Sequence, residues 1–118
     1  MFMFKSSQQN TPFLSPREAK ARLDSGEPLF LLDVRTPEEY EEVHIPHSIS
    51  LPLDRLKRDV GGVIPDKNAE IIIYCLSGAR ATSASAILRA MGYTNVKNMG
   101  GIHSWRYETE RGRSVAAR

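Results

Sequence analysis

Two stretches of the chain are apolar without alternation: residues 29–34, LFLLDV, and residues 71–74, IIIY. Strands read this way when helices cover both faces of a sheet, because neither face then needs polar side chains. Around them the spacing is helical. Ala84, Ile87, Leu88 and Met91 share one helix face, as do Leu53, Leu56 and Val60. Start and stop signals frame the helices. Ser15-Pro16-Arg17-Glu18 is a capping box with proline at the first turn, and the helix it opens should end near Asp24, before Gly26. Thr36-Pro37-Glu38-Glu39 repeats the device and opens a short acidic helix over 37–42. A helix over 53–60 should stop at Gly61-Gly62, and Gly92 should follow the helix that begins after Arg80. Short strands are expected at 12–14, at 48–52 where Pro52 ends the run, and at 95–99. Gly100-Gly101-Ile102 is expected to open a last helix bearing Trp105.

Strands alternating with helices predict parallel βαβ units. The expected fold is therefore a three-layer α/β/α domain with a small, mainly parallel central sheet. It should occupy residues 12–108, between a flexible arm at 1–11 and a basic, fraying tail at 109–118.

The strand at 71–74 runs into Cys75, the only cysteine in the chain, and then into Leu76, Ser77, Gly78, Ala79 and Arg80. This puts the thiol at the carboxyl end of a central strand, the edge where open α/β sheets bind ligands. A tight loop feeding a helix N-terminus turns backbone N–H groups inward as an anion nest. Gly78 can take the positive φ such a loop needs, and Arg80 adds a permanent positive charge. Thiols so placed ionise below the free value of about 8.5. Cys75 is thus a candidate nucleophile rather than a structural core cysteine.

Length and charge narrow the setting. The 118 residues suit one domain with a single core. Sixteen basic against fourteen acidic residues leave a net charge of +2, too small to point to nucleic acid or an anionic membrane. One cysteine excludes an internal disulfide and fits a reducing compartment. Met1-Phe-Met-Phe-Lys5 lacks the pattern of a secretory signal. The expected location is the cytoplasm.

Cys75-Leu76-Ser77-Gly78-Ala79-Arg80 resembles the C-x-x-G-x-R active-site loop of the rhodanese (sulfurtransferase) family. Upstream, LDVRTPEEY at 32–40, His44-Ile45-Pro46 and Leu51-Pro52 are similar to the family's other signature, and Gly100-Gly101 with Trp105 is similar to its ending. The pattern departs at Val43 and His47, where the family has glycine. The resemblance implies the rhodanese fold and a Cys75 persulfide that moves sulfane sulfur from thiosulfate or a persulfide to a thiol or cyanide, with a sulfur-relay protein as a further conceivable partner. It implies no metal or organic cofactor. Leu76 stands where thiosulfate-using members often carry a basic residue.

The supporting residues have plainer expectations. Arg80 is read both as an anion-binding group and as a partner for Asp33. Asp33 and Arg35 are read as an ion pair shaping the loop rather than as catalytic groups, and Ser77 as a hydroxyl bonding the loop backbone. His44 is expected to be a structural turn residue, His47 and His103 to be exposed, Trp105 to pack, and Glu38–Glu42 to form a solvated helix face. Two other functions stay open. One is a binding or redox-sensing module without turnover. The other is a cysteine-dependent phosphatase or arsenate reductase, whose loop has five residues between Cys and Arg where this chain has four.

Overall fold

Ile71–Cys75, which we label β3, is buried along its whole length, as its unbroken apolar run requires. The structure is a computed structural model that describes residues 11–113. The expected arm therefore lies outside the described residues except for Thr11, as does the end of the tail.

In chain order, the elements are α1 (Pro16–Asp24), β1 (Phe30–Asp33), α2 (Pro37–Glu42), β2 (Ile49–Ser50), α3 (Leu53–Val63), β3, α4 (Ala79–Ala90) and β4 (Val96–Gly101). A single 3-10 turn, Ile102–Ser104, follows. The four strands are parallel in the order β2-β1-β3-β4. Successive β3 residues serve opposite layers. Ile71, Ile73 and Cys75 join Leu56 and Val60 of α3 and Ala81, Ala84 and Leu88 of α4 in one apolar cluster. Ile72 and Tyr74 join Ala19 of α1, Met99 and Trp105 in the other. This is the three-layer arrangement that the sequence implies.

Both capping boxes form. Ser15 Oγ accepts from Glu18 N at 3.1 Å, and Thr36 Oγ1 accepts from Glu39 N at 3.1 Å. At 12–14 only one parallel bridge forms, from Phe13 to Asn98 on the β4 edge.

Two expectations need correction. Gly61 and Gly62 lie inside α3, which runs on to Val63. A Cβ at either would meet nothing within 4 Å, and Val60 and Ile64 anchor this turn in the core, so packing holds the turn helical against the glycine preference. Gly100 and Gly101 end β4 rather than open a helix, and Trp105 caps the short 3-10 turn after them. The described part of the tail, residues 109–113, is hydrogen-bonded to the domain. Glu110 bridges His44 in antiparallel fashion, and Gly112 N donates to Glu41 O at 2.8 Å. Among the described residues no helix is long and apolar enough to cross a membrane.

Candidate active site

Strand order places the site. The chain leaves β1 first towards β2 and later returns to β1's other side with β3, so the sheet's switch point lies between the carboxyl ends of β1 and β3. Val34 and Arg35 leave one end and Cys75 closes the other.

The Cys75 side chain is buried, and its Sγ accepts two backbone N–H groups, from Gly78 at 3.0 Å and from Ala81 at 3.3 Å. The first donor was expected from the loop. The second lies one residue beyond it, because α4 begins at Ala79 and carries Ala79 and Arg80 in its first turn. The true loop is therefore Leu76, Ser77 and Gly78. Gly78 caps the helix with φ +119°, a conformation that side chains rarely adopt. Its carbonyl accepts from Thr82 N and Thr82 Oγ1 at 3.0 and 3.1 Å. Ser77 is exposed and makes no hydroxyl hydrogen bond among the described residues, so it does not fasten the loop as expected. Leu76 is half-buried, and its carbonyl accepts from His103 N at 3.4 Å.

The loop rests on β4 through a missing side chain. A register shift after Ile73 pairs Tyr74 with Gly100 and Cys75 with Gly101. A Cβ on Gly101 would stand 2.2 Å from the Leu76 carbonyl oxygen and 2.6 Å from Ser77 Cα. Here glycine is required for close approach, not for its φ, which is an ordinary −122°.

Arg80 and Asp33 do not pair as expected. Arg80 instead donates to Glu39 of α2, Nη1 to Oε1 at 2.7 Å and Nη2 to Oε2 at 3.0 Å. Glu39 Oε1 also accepts from Thr36 N at 2.9 Å. The Arg80 bonds, helped by Thr36, pull the Glu39 carboxyl down to about 2. Glu39 is thus no part of a merely solvated face, although Glu38, Glu41 and Glu42 are exposed. Sequence reasoning missed its second role because the capping box already accounted for it.

Asp33 and Arg35 form the expected ion pair, fully buried. Arg35 Nη2 donates to Asp33 Oδ2 at 2.7 Å and to Val43 O at 2.6 Å, while Nε donates to Oδ1 at 3.0 Å. The pair fixes the turn between β1 and α2. His44 is structural as expected: its Nδ1 lies 2.8 Å from Tyr40 O and its ring stacks on Tyr40. His47 and His103 are exposed. His47 has φ +73°, the left-handed region where glycine is easiest. Val43 is extended at φ −164°, which any residue adopts. Among the described residues no three His, Cys, Asp or Glu side chains converge as metal ligands.

The rhodanese-like domain model matches residues 15–108. The chain belongs to the rhodanese-like family. It is 41% identical over 71 residues to the thiosulfate sulfurtransferase PspE of Escherichia coli, covering 60% of this chain and 68% of that protein. It is 38% identical over 85 residues to a sulfurtransferase of Allochromatium vinosum, covering 71% of this chain and 78% of the other. A solved rhodanese with anions from E. coli superposes with a TM-score of 0.67 at 36% identity, over 70% of this chain and 98% of that one. By their names, these relatives set the rhodanese-like chain among sulfurtransferases as a class.

Proposed function

We propose that the protein moves sulfane sulfur through a persulfide on Cys75, as a rhodanese-type sulfurtransferase. The observation that carries this reading is the pair of N–H groups, from Gly78 and Ala81, aimed at one sulfur atom. Converging donors at a helix N-terminus stabilise negative sulfur before and after transfer, with no reorganisation during the step. Arg80 adds positive charge at the same helix end.

With thiosulfate, the Cys75 thiolate attacks the outer sulfur. A new Sγ–S bond forms, the sulfur–sulfur bond of the donor breaks, and its electron pair leaves on sulfite. A thiol or cyanide then attacks the outer sulfur of the persulfide, and the electron pair of the breaking bond returns to Sγ. Two half-reactions through a covalent intermediate give ping-pong kinetics. The route uses no metal or organic cofactor. Leu76 offers no charge to a dianion, so a small persulfide or a sulfur-relay protein suits the donor role at least as well as thiosulfate.

Intact-mass measurement tests the proposal. Incubation with thiosulfate or a persulfide should add the mass of one sulfur, and cyanide should remove it as thiocyanate. Equal uptake by Cys75→Ser would overturn the assignment. So would turnover of an aryl phosphate by the natural protein that disappears in Cys75→Ser, which would favour phosphatase chemistry.

A further inference from the structure

The parallel bridge between Phe13 and Asn98 sets the start of α1 beside the end of β4. A cavity of about 330 Å³ opens there, within the roughly 300–1,000 Å³ typical of sites for organic ligands. Ser15, Arg17, His103, Ser104, Arg106 and Tyr107 line it. Each of these side chains can donate a hydrogen bond, and none is a carboxylate. The cleft between the turn after β1 and the start of α3 differs, because it mixes Arg55 and Arg80 with Glu38 and Asp54.

The donors are unpaired. Arg17 and Arg106 are exposed, and neither guanidinium makes a hydrogen bond or ion pair among the described residues. The carboxylates near them in the chain are engaged elsewhere. Glu18 accepts from Ser15 N at 2.9 Å, and Glu108 lies 3.9 Å from Lys20 Nζ. Ser15 Oγ accepts from Glu18 N, and its own O–H has no acceptor among the described residues. The end of α1 is not itself the donor, since Pro16 has no N–H and the capping box takes up Glu18 N. Tyr107 stands edge-on to Trp105 with ring centroids 5.0 Å apart, and it is 39% exposed, so it offers a fixed aromatic face at the wall.

Two unpaired guanidiniums lining one cavity repel each other, and an anion between them turns that repulsion into attraction. A guanidinium fork matches two phosphate oxygens at a time, and the hydroxyls of Ser15 and Ser104 add donors for the third. We infer that this cavity is an anion site separate from the nest at Cys75, and that it takes the phosphate of a small organic phosphate whose carbon part rests on Tyr107. None of residues 75–81 lines it. It nevertheless adjoins the cysteine loop, because His103 N donates to Leu76 O at 3.4 Å. The site does not depend on the proposed sulfur transfer.

The test titrates full-length, isotope-labelled protein with phenylphosphonate, which has no ester bond to hydrolyse, and reads backbone amide signals. Those of residue 17 and residues 103–107 should shift along one saturable curve. Arg17→Glu and Arg106→Glu should each weaken binding by about tenfold, whereas Arg17→Lys, which keeps the charge without the fork, should cost about threefold. At matched ionic strength, benzenesulfonate has the same ring with one charge fewer and should bind about fivefold more weakly. Inorganic phosphate has no ring for Tyr107 and should lose a similar factor, and Tyr107→Ser should remove that difference. Shifts confined to residues 75–81 would place the anion at the cysteine loop alone and overturn the inference. So would binding that survives both glutamate variants, or equal affinity for benzenesulfonate, which marks an unselective basic surface. Silence from the small probes would overturn it too, and a response to a phosphorylated peptide or an RNA oligomer alone would make the surface a dock for a macromolecule instead.

Discussion

Glu39 grips Arg80 from a different helix, with both carboxylate oxygens engaged at 2.7 and 3.0 Å. One carboxylate thereby caps α2 and fixes the guanidinium in the first turn of α4, one residue before an N–H donor to Cys75 Sγ. Glu39→Gln keeps the shape and removes the charge. Sulfur loading on Cys75 should slow by about tenfold, because small displacements near a reacting centre have large kinetic effects. An unchanged loading rate would show that Arg80 needs no anchor.

The same pair predicts an acid response. The folded-state carboxyl of Glu39 is depressed to about 2, below its unfolded value of about 4.3. Its contribution to stability is therefore present above the unfolded value and is lost as pH falls through the range from about 4 to 2. Both side chains are about one-third exposed, so the contribution should be near 1 kcal/mol, the upper end for pairs open to solvent. Urea unfolding at pH 6 and pH 3 should show a gap between natural protein and Glu39→Gln that narrows at the lower pH. A gap that widens there would contradict the linkage.

Gly101 makes room for the loop. In Gly101→Ala the new methyl would meet the backbone of Leu76 and Ser77 at 2.2–2.7 Å, and backbone cannot swing aside as a side chain can. The substitution should cost about 1–3 kcal/mol, as overpacking does, and should slow sulfur loading as the loop is pushed off β4. Gly61→Ala, with nothing near its Cβ, is the control. It lies within a helix and should be neutral or stabilising. Equal stability of the two variants would refute the close-packing argument.

Much of this arrangement was legible in the sequence because the signals were local. The capping boxes at Ser15 and Thr36, the doubly buried strands, the Cys75 loop and the Asp33–Arg35 pair all depend on residues near one another in the chain. What escaped depended on tertiary placement. Glu39 meets Arg80 across 41 positions. Gly101 matters only because a register shift sets it under Leu76. Gly61-Gly62 read as a helix stop because propensity gives no account of the packed residues on either side. The Ala81 donor was missed because α4 starts earlier than its apolar spacing suggested.

The buried pair of Asp33 and Arg35 gives a stability prediction of a different size. Both side chains are excluded from water, and Arg35 also holds the Val43 carbonyl. Asp33→Ala would leave a guanidinium buried without its counter-charge. Removing one partner of such a pair costs about 3–5 kcal/mol, a large part of the stability of a domain this size. Denaturant unfolding should show a midpoint shift of that order. A loss below about 1 kcal/mol would mean that water reaches Arg35 and that the turn after β1 is not held by this pair.

Leu76 bears on donor choice. It follows Cys75 directly, is half-buried, and has its carbonyl tied to His103 N, while neighbouring Ser77 is open to solvent. A charged side chain at this position can therefore extend outward without disturbing the carbonyl anchor. Leu76→Arg should place a cation where a dianionic donor approaches, lowering the KM for thiosulfate with a smaller effect on kcat, since the added attraction acts mainly on binding. That attraction runs between groups open to solvent, so raising the salt concentration should erase the gain. A neutral donor such as an alkyl persulfide ester, which carries no charge for the new guanidinium to meet, should show no comparable gain. Steady-state kinetics with both donors at low and high salt separate these outcomes. If the KM for thiosulfate does not change, the position after Cys75 does not face the donor, and the preference for one donor must be set elsewhere in the site.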